Sequence, residues 1–265
     1  MSTPLTDIFS FMEEIAPASG ALHWDNVGLQ IGNPAGSADT VLLALDISPG
    51  VVEEAKEIGA QLILTHHPFI FRPFSSINFN TVEGTLVRNL IQSDITLFSA
   101  HTNLDRSNEG TGVTLAKLLE LQDIKHYTDE PADELNLAIT GRYDEPKSFN
   151  EISDLFCRHS GCNHLRIIGH PDRISSVVVI PGSGGSLINK IRKPFDLIFT
   201  GELTYHDALS ALYQGKSIAV AGHYFSEKPV MHHLKKLMEE KFPGLNLKVS
   251  SRDGEPFRMM WLERQ

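Results

Sequence analysis

Short apolar runs that alternate with amphipathic stretches constrain this chain more than any other feature. VLLALD (41–46), QLILT (61–65) and ITLFS (95–99) are too short and too uniformly apolar for surface helices, and they read as buried strands. Between them lie helical stretches: PGVVEEAKEIGA (49–60), opened by Pro49, TVEGTLVRNLIQ (81–92), and residues 112–119. An earlier helix is expected over 5–15, where Leu5, Ile8, Phe9, Met12 and Ile15 recur at helical spacing after Pro4. Strand–helix alternation of this kind predicts a mainly parallel sheet with helices on its faces. A second series follows the acidic, Pro-containing TDEPADE (128–134): LNLAITG (135–141), a helix near 148–159, LRIIG (165–169), SSVVVI (175–180), a helix after Gly184, DLIFT (196–200), a helix over 204–213, SIAVA (217–221), a helix after Lys228, and LKVSS (247–251). The expectation is an α/β protein of two lobes, residues 1–127 and 128–265. The boundary is soft, and the chain is free to cross back over it.

Composition narrows the function classes. The 265 residues carry 23 Lys and Arg against 33 Asp and Glu, a formal charge of −10, which argues against a broad nucleic-acid surface. Even the densest basic stretch, Lys190, Arg192 and Lys193, reads as a solvated helix end. Two Cys are too few for a disulfide framework. No apolar run approaches membrane-helix length, and the N-terminus lacks the features of a signal peptide, so the expected setting is soluble, reducing and cytoplasmic. The 12 His raise the prior for an imidazole-based metal site.

Ligands of open α/β sheets gather beyond the carboxyl ends of the strands. Five strand ends here deliver His or carboxylate residues. VLLAL runs into Asp46, and LILT into His66 and His67. TLFSA runs into His101, Asn103 and Asp105. DLIFT runs into Glu202 and, a turn later, His206, and SIAVAG into His223 and Glu227. Adjacent His residues on an extended strand point to opposite faces, so His66 and His67 suit two different ions of a close pair. If SAHTNLD is extended, His101, Asn103 and Asp105 share one face, and Asp105 binds metal or orients an imidazole. His223 and Glu227, four apart, share a face if their segment is helical; Ser226 as an N-cap would instead put Glu227 at a helix start and His223 in the preceding loop. Together His66, His67, Asp105, His223 and Glu227 exceed what one tetrahedral ion with an open position takes. They suit two divalent ions that share a carboxylate and a water; the N/O set favours Zn, Fe, Mn, Co or Ni.

At these residues the sequence resembles the family of GTP cyclohydrolase I type 2 homologs, also called the NGG-interacting factor three family. The resemblance rests on WDNVGLQIG (24–32), LILTHHPFIFRP (62–73), SAHTNLD (99–105), TGELTYHDAL (200–209) and AGHYFSEKP (221–229), which fall in family order along essentially the whole chain. It implies metal ligands at His66, His67, Asp105, His223 and Glu227, with Glu227 bridging both ions. It also implies three-layer α/β/α lobes flanking the metal site in their cleft, and a homohexameric ring of dimers. The activity it implies is hydrolytic attack on a purine nucleotide, with a protein partner as the non-enzymatic alternative. Tyr205 stands where relatives often carry a second His. His101, Glu202 and His206 are the candidates for proton transfer or support of the ligands.

Three other signals read as structural. In CRHSGCNH (157–164), Cys157 fits an apolar helix face and Gly161 its C-terminal stop, which leaves little for zinc. PGSGGS (181–186) lacks a complete phosphate-binding fingerprint and reads as a tight turn, with a substrate phosphate contact left open. His232 and His233 belong to the last helix.

Overall fold

A computed structural model gives the fold and describes residues 2–128, 133–169 and 171–260; residues 129–132 of the acidic TDEPADE segment lie outside the described residues. The described strands are β1 (Thr3–Pro4), β2 (Gly28–Ile31), β3 (Ser37–Ala38), β4 (Thr40–Ala44), β5 (Leu62–Thr65), β6 (Thr96–Ser99), β7 (Gln122–His126), β8 (Ile139–Lys147), β9 (Arg166–Ile168), β10 (Ile174–Ile180), β11 (Leu197–Thr200), β12 (Ile218–Val220) and β13 (Asn246–Val249). They form two mixed sheets, ordered β13-β4-β5-β6-β2 and β7-β8-β10-β11-β12-β9, beside a small β1–β3 pair. In the first sheet β13, β4, β5 and β6 run parallel and β2 closes the edge antiparallel. In the second, β10, β11 and β12 are parallel, while β7, β8 and β9 join through antiparallel pairings.

Both sheets are apolar on both faces, which is why their strands read as continuous hydrophobic runs rather than alternating ones. Val41, Leu43, Leu62 and Leu64 face the helices Leu5–Ile15 and Pro229–Lys241. Their neighbours Leu42, Ala44, Ile63 and Leu97 face Pro49–Glu57 and Val82–Gln92. The second sheet repeats the arrangement: Val177, Val179, Leu197 and Phe199 pack on Thr111–Leu118 and Phe149–Ser160. On its other face Val178, Ile180, Ile198 and Ile218 pack on the single turn Gly185–Ile188 and on Tyr205–Tyr213. Helix starts are fixed by side-chain caps, Ser48 accepting from Val51 N, Thr81 from Gly84 N, and a full capping box at Ser148 and Glu151.

β7 pairs with β8, and the helix Pro229–Lys241 and β13 return the chain to the first sheet. Gly161, at φ 73°, ends the helix that carries Cys157. Two local readings change. The chain after His101 is not extended: Thr102–Asp105 forms a helical turn, because Asp25 accepts from the Thr102 backbone N–H and hydroxyl at its start. The segment His223–Glu227 is itself a short helix running into Pro229–Lys241, so Ser226 is no N-cap. Its hydroxyl instead donates to the His223 carbonyl and accepts from Gly182 N.

Candidate metal centre

The carboxyl ends of β4, β5 and β6 in one sheet and of β11 and β12 in the other converge on a single cluster of imidazoles and carboxylates. His66 leaves β5 fully buried. Its Nδ1 lies 2.8 Å from the Ala100 carbonyl oxygen, which can only accept, so that nitrogen carries the proton and Nε2 is a free lone pair. Nε2 is buried with no hydrogen-bond partner and faces Asp105 Oδ1 at 3.6 Å. A buried ring nitrogen in this state is a ready metal ligand, its tautomer set by the carbonyl behind it.

His67, the next residue, turns the other way. Its Nδ1 meets Asp46 Oδ1 at 2.9 Å, and its Nε2 lies 3.1 Å from Glu227 Oε2 and 3.3 Å from His223 Nε2. His223 Nε2 also lies 3.0 Å from Glu227 Oε2, and its Nδ1 lies 3.3 Å from Glu202 Oε2. One carboxylate oxygen thus sits between two imidazole nitrogens, and each imidazole is held from behind by a second carboxylate. Burial opposes charge on these rings, but Asp46 and Glu227 push His67 up to about 10, and Glu227 and Glu202 push His223 up to about 9. Burial likewise opposes the Glu227 charge, yet His223 and His67 hold its carboxyl well below the usual range. The spot favours positive charge, the electrostatic character a cation site requires. His66 is the contrast: burial pushes it down to about 3 and keeps it neutral, as ligation demands.

Two groups have their ligand atoms close enough to hold an ion, His66–His67–His101 and His67–His223–Glu227, with His67 common to both. His101 thus stands among the donors; its Nδ1 is fixed on Asp25 Oδ1 at 2.9 Å, which leaves Nε2 for the cluster. Burial opposes the Asp25 charge, but hydrogen bonds from His101 and Thr102 hold its carboxyl down at about 2. Asp105 lies outside both groups, beside His66, and accepts from the Thr111 hydroxyl; burial pushes it up to about 6. Glu202 buttresses His223. His206 is not brought in: it lies exposed at the start of Tyr205–Tyr213 with its ring against Tyr205.

Three contributors went unassigned in the sequence. Asp46 and Asp25 orient His67 and His101, and both stand inside segments the sequence had singled out. Gly182, in the PGSGGS turn, is the third. A Cβ there would fall 2.0 Å from Glu227 Oε1 and 3.2 Å from His223 Nε2, so the glycine makes room for the carboxylate. The CRHSGCNH residues form no candidate metal group among the described residues; Cys162 Sγ instead donates to the His164 carbonyl. Beside the cluster opens a cavity of about 970 Å³, lined by Asp46, His67, Glu202 and His223 on the metal side.

The two sheets and this cluster define an α/β protein with a His- and carboxylate-rich centre able to hold metal at the carboxyl ends of its strands. The chain belongs to the Duf34/NIF3 (NGG1p interacting factor 3) family, whose model matches residues 3–256. It is 34% identical over 260 residues to the GTP cyclohydrolase 1 type 2 homolog of Clostridium perfringens, covering 97% of this chain and 99% of that one. It is 32% identical over 234 residues to NIF3-like protein 1 of Drosophila melanogaster, covering 86% and 79%. Among solved structures, Staphylococcus aureus protein SA1388 superposes with a TM-score of 0.88 at 27% identity, over 98% of this chain and 100% of that one. TTHA1606 of Thermus thermophilus shares the fold, with a TM-score of 0.80 at 21% identity over 96% and 98%. No helix among the described residues is long and apolar enough to cross a membrane.

Proposed function

We propose that the protein is a dinuclear metal-dependent hydrolase acting on a nucleotide-like substrate. The observation that carries this reading is the paired donor geometry: the buried, unpartnered Nε2 of His66 on one side, and Glu227 Oε2 within about 3.1 Å of both His67 and His223 on the other. His66 and Asp105 would hold one ion, and His67, His223 and Glu227 the other, with Glu227 shared and His101 beside the first as a proton carrier. The N/O donor set suits Zn, Fe, Mn, Co or Ni. Bound ions of this kind lower the pKa of water and polarise a substrate oxygen. The chain's own residues do the rest. Asp46 and Glu202 lock the His67 and His223 rings, and the Asp25–His101 pair holds or moves a proton at His101 Nε2. On a purine nucleotide the water would add at C8, the C8–N9 bond would break and N9 take up a proton, leaving a formyl group on N7; this is ring-opening chemistry of the kind that the names of the curated bacterial relatives suggest. A homohexamer is the assembly we expect.

The test is turnover of GTP by the metal-loaded protein, followed by ultraviolet absorbance and product mass. Ring-opened product that disappears on chelation, while the oligomer persists, supports the reading. Absence of turnover, together with loss of the oligomer on chelation, contradicts it and points to a metal-stabilised binding or regulatory ring.

A further inference from the structure

The cavity beside the metal cluster has a second pole, and its chemistry bears on what the substrate carries. Arg166 and Arg258 both line it, together with His164, Ser183, Ser186 and Phe257. Arg166 opens β9, the antiparallel edge strand, in register with Val220, three residues before His223. It therefore stands at the same sheet edge as the metal cluster, one strand outward. Arg258 comes from the segment after β13, where Glu255 accepts from the Phe257 N–H and shapes the chain.

The charges around the cavity are not equivalent. Each lining carboxylate has a partner of its own: Asp46 holds His67, Glu202 holds His223, Asp207 accepts from Thr204, and Glu255 accepts from Phe257. Neither guanidinium has a hydrogen bond or ion pair among the described residues. In a chain of net charge −10, two arginines without a partner among the described residues that share one concavity with a candidate metal centre are a selective feature. A guanidinium presents a planar fork matched to oxyanions. Two forks exceed the two oxygens of a carboxylate and suit the several oxygens of a phosphate. At about 970 Å³ the cavity has room for a heterocycle and a phosphate-bearing arm, at the upper end of the range for small-molecule sites. Phe257, 75% exposed on the same wall, offers an apolar face to the ring or sugar between the two poles.

We infer that this cavity takes a phosphorylated substrate whose phosphate is held by Arg166 and Arg258 while its reacting ring faces the metal cluster. The inference rests on the hydrolase reading for the identity of the ring, but not for the phosphate. It assigns Arg166 and Arg258 as specificity-determining residues, remote from the reacting atoms.

The experiment is calorimetric titration of the metal-loaded wild type and the Arg166→Ala/Arg258→Ala variant with GTP, guanosine and inorganic phosphate, with metal content measured on each sample. The expected result is GTP binding at least about tenfold tighter than guanosine in the wild type, a margin of about 1.4 kcal/mol. In the variant the two affinities should converge, with guanosine binding and metal content unchanged. A GTP preference that survives in the variant overturns the inference, because the phosphate is then held elsewhere. If neither GTP nor guanosine binds the wild type, the nucleotide reading fails and inorganic phosphate decides the arginines. Phosphate binding that is lost in the variant supports them; binding that is equal in both proteins, or absent from the wild type, overturns them.

Discussion

Gly182 shows how tightly single residues define this site. Its φ is +60°, and an added Cβ would strike Glu227 Oε1 at 2.0 Å. Gly59 has a similar φ of +65° but open space around it, so it isolates the backbone strain from the collision. Gly59→Ala should cost about 1–2 kcal/mol in urea unfolding and leave metal binding intact. Gly182→Ala should cost a similar amount or more and also lower metal content, because the carboxylate must move; equal metal content in the two variants would remove Gly182 from the site. The same scale shows what the sequence could and could not disclose. His66, His67, His223 and Glu227 were legible because strand ends mark ligand positions and their residue types speak for themselves. Asp46 was noted at a strand end but given no role, and Asp25 was not noted, since a carboxylate that holds an imidazole looks like any other acid until the fold brings it within 2.9 Å. His206 shows what residue type alone does not carry: it lies one turn past a strand end, exposed at the start of its helix.

At the scale of elements, the stretch that follows β13 fastens the second wall of the cavity to the first sheet. Glu54, on the helix Pro49–Glu57, accepts from the Ser250 hydroxyl, from the Ser251 N–H and hydroxyl, and from the Arg252 N–H. Burial opposes its charge, but these hydrogen bonds hold it down at about 2, below its ordinary 4.5. A carboxylate depressed in the folded state stabilises fully above its unfolded pKa and loses that contribution as pH falls toward the folded value. The destabilisation caused by Glu54→Gln should therefore be largest at neutral pH and shrink between about pH 4.5 and 2, as followed by denaturant midpoints. A difference that stays constant across that range would mean Glu54 acts by packing alone. Nearby, Lys228 Nζ and Asp253 Oδ2 form a buried pair at 2.7 Å, and Asp253 also accepts from Leu45 N. Asp253→Ala strands the ammonium and should cost about 3–5 kcal/mol. Lys228→Met/Asp253→Leu should recover much of that, though not all, because the Leu45 N–H remains unpaired; if the double variant is no better than the single, the stranded charge is not the cause. Most strands and long helices were readable from periodicity to within a few residues at their ends, but the strand expected at LNLAITG (135–141) is displaced to β8 (Ile139–Lys147), and β2 and β7 carried no readable pattern. The helical turn Thr102–Asp105 was not, because its start is set by Asp25, far away in sequence.

At the scale of the molecule, the centre joins two sheets that have separate cores. Donors come from β5 and β6 on one side and from β12 on the other, so a bound ion ties them together. Metal saturation should raise the thermal midpoint of the whole chain in a single transition, by about 4 kcal/mol of stability at a thousandfold excess over the dissociation constant. Stabilisation of one transition with a second left unmoved would show that the ion touches only one sheet. The two-series texture of the sequence foreshadowed two sheets. That the final helix and β13 return to the first sheet follows from long-range pairing with β4, which no local pattern carries.

The most direct test is metal content per chain by inductively coupled plasma mass spectrometry, on protein purified without a metal-affinity tag, beside His67→Ala and Glu227→Ala. His67 belongs to both donor groups and Glu227 lies between His67 and His223, so the wild type should hold close to two ions and each variant at most one. Two ions retained in both variants, or none bound by the wild type after Zn, Mn or Fe is offered, would contradict a shared dinuclear centre.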